Sequence, residues 1–349
     1  MDRYIGLDVH ATSCTAAVID GQGKRLRSYV IETNGQALVE FLKMQPGTLH
    51  VCMEEGTQSG WLSEILTPHA ARVVVTHVQE SQGQKSDEHD AFGLADRLRT
   101  GALQTTVYKS VGAFATLRQL VKAHTAIVRD TVRVQMRIKA LFRSRGVQLA
   151  GKTIYRPDSR EEYLQALPPS SRAAAHLLFA QYDAVRVIRD RAEKELIAES
   201  HRHEVTRRLE SCPGVGEIRA AQLVAVVVTP DRFRTRRQFW SYCGLGIVMR
   251  SSSDWVKGPQ GNWERAQVQQ TRGLNRRHNS MLKQVFKGAA KTVIHQHPND
   301  PLRADYERML AGGTKPNLAE LTLARKIAAI TMAMWKKKED YKPATTTKS

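Results

Sequence analysis

Acidic residues at three places, and one run of serines, carry the side chains that could do chemistry in this chain. Asp8 lies inside Tyr4-Ile5-Gly6-Leu7-Asp8-Val9-His10, an apolar stretch that reads as a short buried strand. A buried carboxylate is costly unless it is paired, hydrogen-bonded or bound to a metal. Glu54 and Glu55 end a second apolar run, Leu49-His50-Val51-Cys52-Met53. Asp87 and Asp90 are three apart, which puts them on one face of the helix predicted from Asp87 to Arg99. Four carboxylates from three separate elements, Asp8, Glu54 or Glu55, Asp87 and Asp90, could converge into an oxygen-rich site suited to a hard divalent cation such as Mg²⁺. Two such ions about 4 Å apart can clamp the attacking and leaving oxygens of a phosphodiester displacement. Carboxylates gathered this closely repel one another unless a cation joins them, so the set predicts metal binding. Taken singly, each acid has a plainer reading: Asp8 as a strand-end cap, Glu54 and Glu55 as loop acids, Asp87 and Asp90 as acids favoured by a helix N-terminus.

The serines are Ser251, Ser252 and Ser253, flanked by Arg250 and Lys257. From composition they form an ordinary polar loop. A serine in a basic pocket is also what a phosphoryl-transfer nucleophile needs, because cations stabilise the developing negative charge.

The acids must be positioned by the segment 1–105. Its pattern predicts strands over Tyr4–Val9, Thr12–Ile19 and Leu26–Glu32, with a tight turn at Asp20-Gly21-Gln22-Gly23. A helix capped by Asn34 follows, then a strand over Leu49–Met53, a helix carrying Trp61, Leu62, Ile65 and Leu66, and a strand over Arg72–Thr76. The order β-β-β-α-β-α-β-α is that of the ribonuclease H-like fold. In that arrangement Asp8 sits mid-sheet, beside the end of the strand that carries Glu54 and Glu55.

Segment 106–200 is predicted as two long helices. Val111, Phe114, Leu117, Leu120, Ile127, Val134, Ile138 and Leu141 recur at helical spacing, and a second pattern runs from Arg172 to Glu199. They read as a helical hairpin or a dimerising coiled coil, joined by a loop containing Pro157, Pro168 and Pro169. Arg129, Arg133 and Arg137 decorate the first helix, either as a solvated face or as a surface for nucleic-acid phosphates. Segment 201–340 contains Pro213-Gly214-Val215-Gly216, a turn similar to the hairpin of helix-hairpin-helix domains, where backbone N–H groups reach a phosphate. Arg234, Arg236 and Arg237 then interleave with Phe239, Trp240 and Tyr242. The run Thr271-Arg272-Gly273-Leu274-Asn275-Arg276-Arg277 is expected to open another basic helix, and a last helix runs from Leu318 to Trp335. The tail 341–349 reads as disordered.

Composition bounds the partners. Over 349 residues the formal charge is +19, with a pI near 10.0, which points to polyanions and most directly to nucleic acid. No apolar run approaches the ~20 residues that span a bilayer, and no signal peptide precedes the first strand, so a cytoplasmic protein without a membrane partner is expected. The four cysteines are scattered, without a CxxC pair, and read as reduced thiols rather than a zinc site. The histidine pairs His201/His203 and His295/His297 read as solvated side chains.

Together these residues carry a resemblance. Gly6-Leu7-Asp8, Met53-Glu54-Glu55-Gly56 and Lys85-Ser86-Asp87-Glu88-His89-Asp90-Ala91 resemble the DEDD motifs of the insertion sequence 110 family of transposases. Pro213 to Gly216, Phe239 to Leu245 and Ser251-Ser252 are similar to that family's C-terminal domain. The resemblance implies a RuvC-like domain over 1–105, a coiled coil over 106–200 and a C-terminal transposase domain over 201–340. It implies Mg²⁺ held by Asp8, Glu54, Asp87 and Asp90, and Ser252 as a nucleophile that forms a phosphoserine link to DNA. It further implies donor and target double-stranded DNA, a structured non-coding bridge RNA as guide, and dimers that assemble into a tetramer. Glu55 stands where the family often has a small residue, so Glu54 and Glu55 compete as ligand. A longer segment from Lys257 to Gln270 leaves Ser251, Ser252 and Ser253 hard to tell apart. The rival readings are a junction-type endonuclease that uses water, and a non-catalytic nucleic-acid-binding protein.

Overall fold

The computed structural model describes residues 1–77, 86–103, 106, 107, 112, 114–249, 255–265 and 271–343, without the side chains of Met249, Arg265, Thr271 and Arg272. The chain divides into two compact units, Met1–Ala113 and Phe114–Ser349.

The first unit is a mixed six-stranded sheet with helices on both faces. Its elements are β1 (Asp2–Val9), β2 (Ser13–Asp20), β3 (Arg25–Glu32), α1 (Gly35–Met44), β4 (Thr48–Glu54), α2 (Ser59–Leu66), β5 (Arg72–Thr76), α3 (Asp87–Thr100) and β6 (Thr106–Val107). The order across the sheet is β3-β2-β1-β4-β5-β6, compatible with the ribonuclease H-like arrangement. β1 pairs antiparallel with β2 and parallel with β4, in register Leu7 to Met53. Alternation sorts the side chains. Ile5, Leu7, Val51 and Met53 pack with Leu38, Leu42, Leu62 and Leu66 under α1 and α2. On the other face Ala17 and Ile19 meet Ala91, Phe92 and Ala95 of α3, and Cys52 meets Leu94 and Leu98. Asn34 caps α1 as expected, accepting from the Ala37 N–H at 2.8 Å.

Gly6 sets how closely α3 lies on the sheet. A Cβ there would stand 1.8 Å from the Ala91 carbonyl oxygen and 2.8 Å from the Ala95 nitrogen. With only hydrogen at that position, the helix backbone rests directly on β1.

The second unit is mainly helical. α4 (Ala115–Arg143) packs against α6 (Pro169–Ser200), forming the expected helical hairpin. Val134, Ile138 and Phe142 face Ala175, Phe179 and Tyr182. The connection is not a plain loop: it holds α5 (Arg160–Gln165), and Ile154, Tyr155, Leu164 and Leu167 close the end of the hairpin. Arg160 clamps that end, donating to both carboxylate oxygens of Asp183 at 2.6 and 2.7 Å. α4 begins at Ala115, later than expected, and Val111 falls outside the described residues.

α7 (Glu204–Glu210), α8 (Glu217–Val227), α9 (Arg236–Tyr242), α10 (Ser280–Gln296), α11 (Pro301–Ala311) and α12 (Pro316–Lys337) build a second core, which includes Leu209, Leu223, Phe239, Phe286, Leu323 and Ile327. Two small sheets interrupt it: β7 (Ile247–Met249) with β10 (Thr271–Leu274), and the hairpin β8 (Trp255–Lys257) with β9 (Trp263–Arg265). The run from Thr271 therefore does not open a helix. Its first four residues pair with β7, and Asn275 turns the chain by donating to the Arg277 carbonyl at 2.7 Å. Asn279 supplies the cap that starts α10 at Ser280.

Candidate metal centre and nucleic-acid surfaces

Asp8 is the last residue but one of β1, and Asp87 is the first residue of α3. The Ser86 hydroxyl accepts from the His89 N–H at 3.1 Å, which fixes where α3 begins. Asp87, Glu88 and Asp90 occupy its first turn, where the helix dipole favours acids. Because Gly6 seats α3 on β1, this acidic turn arrives at the end of the strand. His10 Nε2 lies 3.4 Å from Asp8 Oδ2 and 3.4 Å from Asp87 Oδ2. Asp8, His10 and Asp87 are the only such group of converging ligand atoms among the described residues.

Asp8 is the enclosed member, with 25% of its side chain exposed against 61% for Asp87. Burial holds its carboxyl above the usual aspartate range, and the charges of Asp87 and Asp90 add to that while His10 opposes it. Asp90, one turn further along α3, is thus close enough to be felt electrostatically.

A cleft of about 280 Å³ opens at the carboxyl ends of the parallel strands β1 and β4, lined by Asp8, His10, Glu54, Glu55 and Gln58, among others. Ligands of open α/β sheets gather at such strand ends. Glu54 shares the register parity of Cys52, which packs on the α3 face with Leu94 and Leu98. Glu55 lies past the strand: its N–H donates to the Thr76 carbonyl at 2.7 Å, and its Oε2 is 3.3 Å from His77 Nδ1. The donor set suits a divalent cation. The carboxylates supply the oxygens that a hard cation prefers, and a cation would offset the burial that raises Asp8 as well as the repulsion from Asp87 and Asp90. His10 adds a nitrogen that softer divalent ions accept as well.

Gly6 and His10 escape a reading of the acids alone. His10 was legible in principle, since it follows Asp8 by two residues just past the end of β1. Gly6 had no such signal, because its role depends on a helix eighty residues downstream.

Ser251, Ser252, Ser253 and Arg250 lie outside the described residues. Arg129, Arg133 and Arg137 are exposed along one side of α4, with Arg133 Nη1 2.8 Å from Asp130. Arg234, Arg236 and Arg237 are exposed at the start of α9, around the capping box of Thr235 and Gln238. Arg276 and Arg277 are exposed in the turn before α10; Lys257 is exposed on β8, and only the backbone of Arg272 is described. Gly214 does not present itself to a phosphate. A Cβ there would stand 2.4 Å from the Ala289 carbonyl, so this glycine, at φ +79°, lets α10 approach, and the exposed glycine of the turn is Gly216. All four cysteines are buried and free; burial pushes the Cys14 and Cys52 thiols up to about 12. His201 pairs with Glu217 at 3.1 Å, so it is not merely solvated. No helix among the described residues is long and apolar enough to cross a membrane.

Residues 5–145 match the family model of DEDD transposases of the IS110 type, described as "Transposase". Residues 206–307 match the model described as "Transposase IS116/IS110/IS902 family". Among curated proteins, the transposase for insertion sequence element IS1111A of Coxiella burnetii is 25% identical over 75% of this chain and 69% of its own length. The "Insertion element IS116 uncharacterized 44.8 kDa protein" of Streptomyces clavuligerus is 24% identical over 98% of this chain and 96% of its own. A probable family 20 transposase of Pseudomonas aeruginosa is 22% identical over 85% and 84%. Two transposase models of the IS110 kind match successive parts of the chain, and insertion-element proteins are similar to it over three quarters or more of its length, so the chain belongs to the IS110/IS116/IS902 family and is a DNA transposase.

Proposed function

We propose that the chain cuts and rejoins donor and target DNA of an insertion sequence, using Mg²⁺ held by Asp8, Glu54, Asp87 and Asp90 and the Ser252 hydroxyl as nucleophile. The observation that carries the reading is the convergence of Asp8 and Asp87 on His10 from two elements, at the mouth of the cleft that Glu54 lines. Glu54 is preferred over Glu55 because of its strand parity and because Glu55 faces His77. Bound there, the cation supplies Lewis-acid stabilisation of the phosphate oxygens.

The chain's own groups do the rest. Carboxylates alone repel a phosphate, so the part of the acids is to hold the cation that would meet the scissile phosphate. The Ser252 oxygen attacks phosphorus, a P–O bond to deoxyribose breaks, and the serine proton passes to the departing hydroxyl. The resulting phosphoserine link conserves the bond energy, so a deoxyribose hydroxyl of the other DNA can attack and release Ser252. Arg250 and Lys257 flank the charge that develops. Arg129, Arg133, Arg137, Arg234, Arg236, Arg237, Arg272, Arg276 and Arg277 hold phosphates of DNA and of a structured guide RNA, whose base pairing supplies sequence choice. A RuvC-like catalytic domain, a coiled-coil hairpin that joins protomers into dimers and then a tetramer, and a cytoplasmic setting complete the reading.

The test is a denaturing gel of protein, its co-purified RNA, labelled donor and target DNA, and Mg²⁺. A protease-sensitive DNA adduct in the wild type, absent in Asp8→Ala and Ser252→Ala, is expected. Cleaved DNA without an adduct, unaffected by Ser252→Ala, would make water the nucleophile and refute the serine mechanism.

A further inference from the structure

The β8–β9 hairpin has two unlike faces. Trp255 pairs with Arg265, Val256 with Glu264 and Lys257 with Trp263. Residues directly opposite in an antiparallel pair share a face. One face therefore carries Trp255, Lys257 and Trp263; the other carries Val256 and the hairpin's one strand carboxylate, Glu264. Trp255 is 56% exposed and Trp263 62%. Indoles this exposed are unusual, because tryptophan is highly buried on average. Elsewhere in the same unit, Trp240 is tucked against α12 with its Nε1 donating to the Arg325 carbonyl at 2.9 Å. On the hairpin the Lys257 ammonium lies 5.7 Å from the Trp263 ring centre, so cation and π-face are presented together.

We infer that this face is a stacking platform for unpaired DNA bases, distinct from the carboxylate cleft and from the phosphate-holding arginines. The inference rests on the chain acting on DNA and is independent of which residue is the nucleophile. Every base has a π-face that an indole can stack on, whatever the sequence, and a neighbouring cation meets the backbone. Charge selects the occupant. The aromatic face holds a cation and no described acid, in a chain of formal charge +19, which fits a polyanion better than a second, equally basic copy. Trp255 and Trp263 are diagonal neighbours, a relation that separates side chains by about 7–8 Å. That is roughly twice the ~3.4 Å rise per nucleotide, which leaves room for one base between two rings or for successive bases on each. Duplex DNA keeps its bases stacked on one another and offers these rings nothing. DNA with bases unpaired, as strand exchange must produce, offers them a partner.

The experiment uses the full chain with its co-purified RNA. Wild type, Trp255→Ala, Trp263→Ala and the pair Trp255→Phe and Trp263→Phe are titrated with three fluorescent probes: a DNA duplex, the same duplex with a central mismatched bubble, and an RNA of the single-strand sequence. Each alanine variant should bind the bubble at least about 5-fold more weakly, the duplex within about 2-fold of wild type, and the phenylalanine variants should recover most of the loss. Thermal midpoints equal to wild type show that the hairpin variants fold. Bubble and duplex affinities equal to wild type in both alanine variants would overturn the inference. So would a loss confined to RNA, or a change in oligomeric state with DNA binding unchanged. Failure of the wild type to bind any DNA would instead refute the action on DNA itself.

Discussion

Replacing Gly6 with alanine tests how the two halves of the acidic cleft are brought together. The added Cβ would meet the Ala91 carbonyl oxygen at 1.8 Å, the Ala95 nitrogen at 2.8 Å and the Ala91 carbonyl carbon at 2.9 Å. All three are backbone atoms of α3, so no rotamer change relieves the clash. Because carbon settles against its neighbours at ~3.5 Å, the helix must retreat from β1 by roughly 1.5 Å or more. Overpacking of this kind costs about 1–3 kcal/mol of stability. The functional cost comes on top of this, because Asp87 and Asp90 ride on the helix that moves while Asp8 stays on the strand. A misplacement of about 1 Å is worth around 100-fold in rate. Gly6→Ala should therefore stay folded, melt earlier and cleave DNA about 100-fold more slowly. Gly93→Ala is the control on the same helix. Its Cβ meets nothing closer than the end of the Arg97 side chain at 3.4 Å, an ordinary contact. Relief of glycine's backbone entropy in a helix should stabilise it by ~0.5–1 kcal/mol with cleavage unchanged. Differential scanning fluorimetry and a Mg²⁺-dependent cleavage assay read both. Wild-type cleavage by Gly6→Ala would refute the argument that α3 must rest on β1 for the acids to work.

Three further outcomes follow from the geometry. Asp8→Asn should raise the thermal midpoint while lowering cleavage by about 100-fold or more. Burial and the neighbouring acids raise the Asp8 pKa, so its contribution to stability is present below the usual carboxylate range and lost as pH rises through the raised value; the variant's stability should lack that decline in a pH series of melts. Glu54→Gln should abolish metal-dependent cleavage, whereas Glu55→Gln, at a residue past the strand end whose carboxylate reaches His77, should change it by less than about 5-fold in the same assay. Arg160→Ala should destabilise the second unit by about 2 kcal/mol, between the ~3–5 of a buried ion pair and the ~1 or less of an exposed one, because Asp183 is 43% exposed. The guanidinium holds the Asp183 carboxyl below the usual range, so this stabilisation is present above that range and lost as pH falls through the depressed value, which acid denaturation of wild type and variant would reveal.

Long periodic elements were legible in the chain, as was the Asn34 cap of α1. β5 has the expected bounds, Arg72–Thr76; α3 starts at Asp87 behind its Ser86 cap, and the α4–α6 hairpin follows the helical recurrence of its apolar residues. Two-, three- and four-residue strands carry too few residues for a period to show, so β6 and the small sheets β7–β10 and β8–β9 were not legible. The expected helix from Thr271 failed for the same reason. A basic run has no periodicity of its own, and the signal that sets the start of α10 is the cap at Asn279. The acid spacing pointed to Asp8, to Glu54 or Glu55, and to Asp87 and Asp90; of these Asp8, Glu54 and Glu55 line the cleft, and Asp87 meets Asp8 at His10. What spacing could not carry was the close approach at Gly6, the position of His10 between two carboxylates, and the separate partner of Glu55, all of which depend on chain segments far apart in sequence.

The most direct measurement is a titration of Mn²⁺, a paramagnetic stand-in for Mg²⁺, into the full-length wild type, Asp8→Ala and Asp87→Ala, with free ion read by electron paramagnetic resonance and DNA cleavage followed on the same samples. A divalent-cation site in the wild type that weakens by at least about 10-fold in each variant, with cleavage lost in parallel, is the predicted result. Unchanged Mn²⁺ binding in both variants, or cleavage that survives chelation of divalent ions, would contradict the assignment of the Asp8–Asp87 cleft as the metal centre.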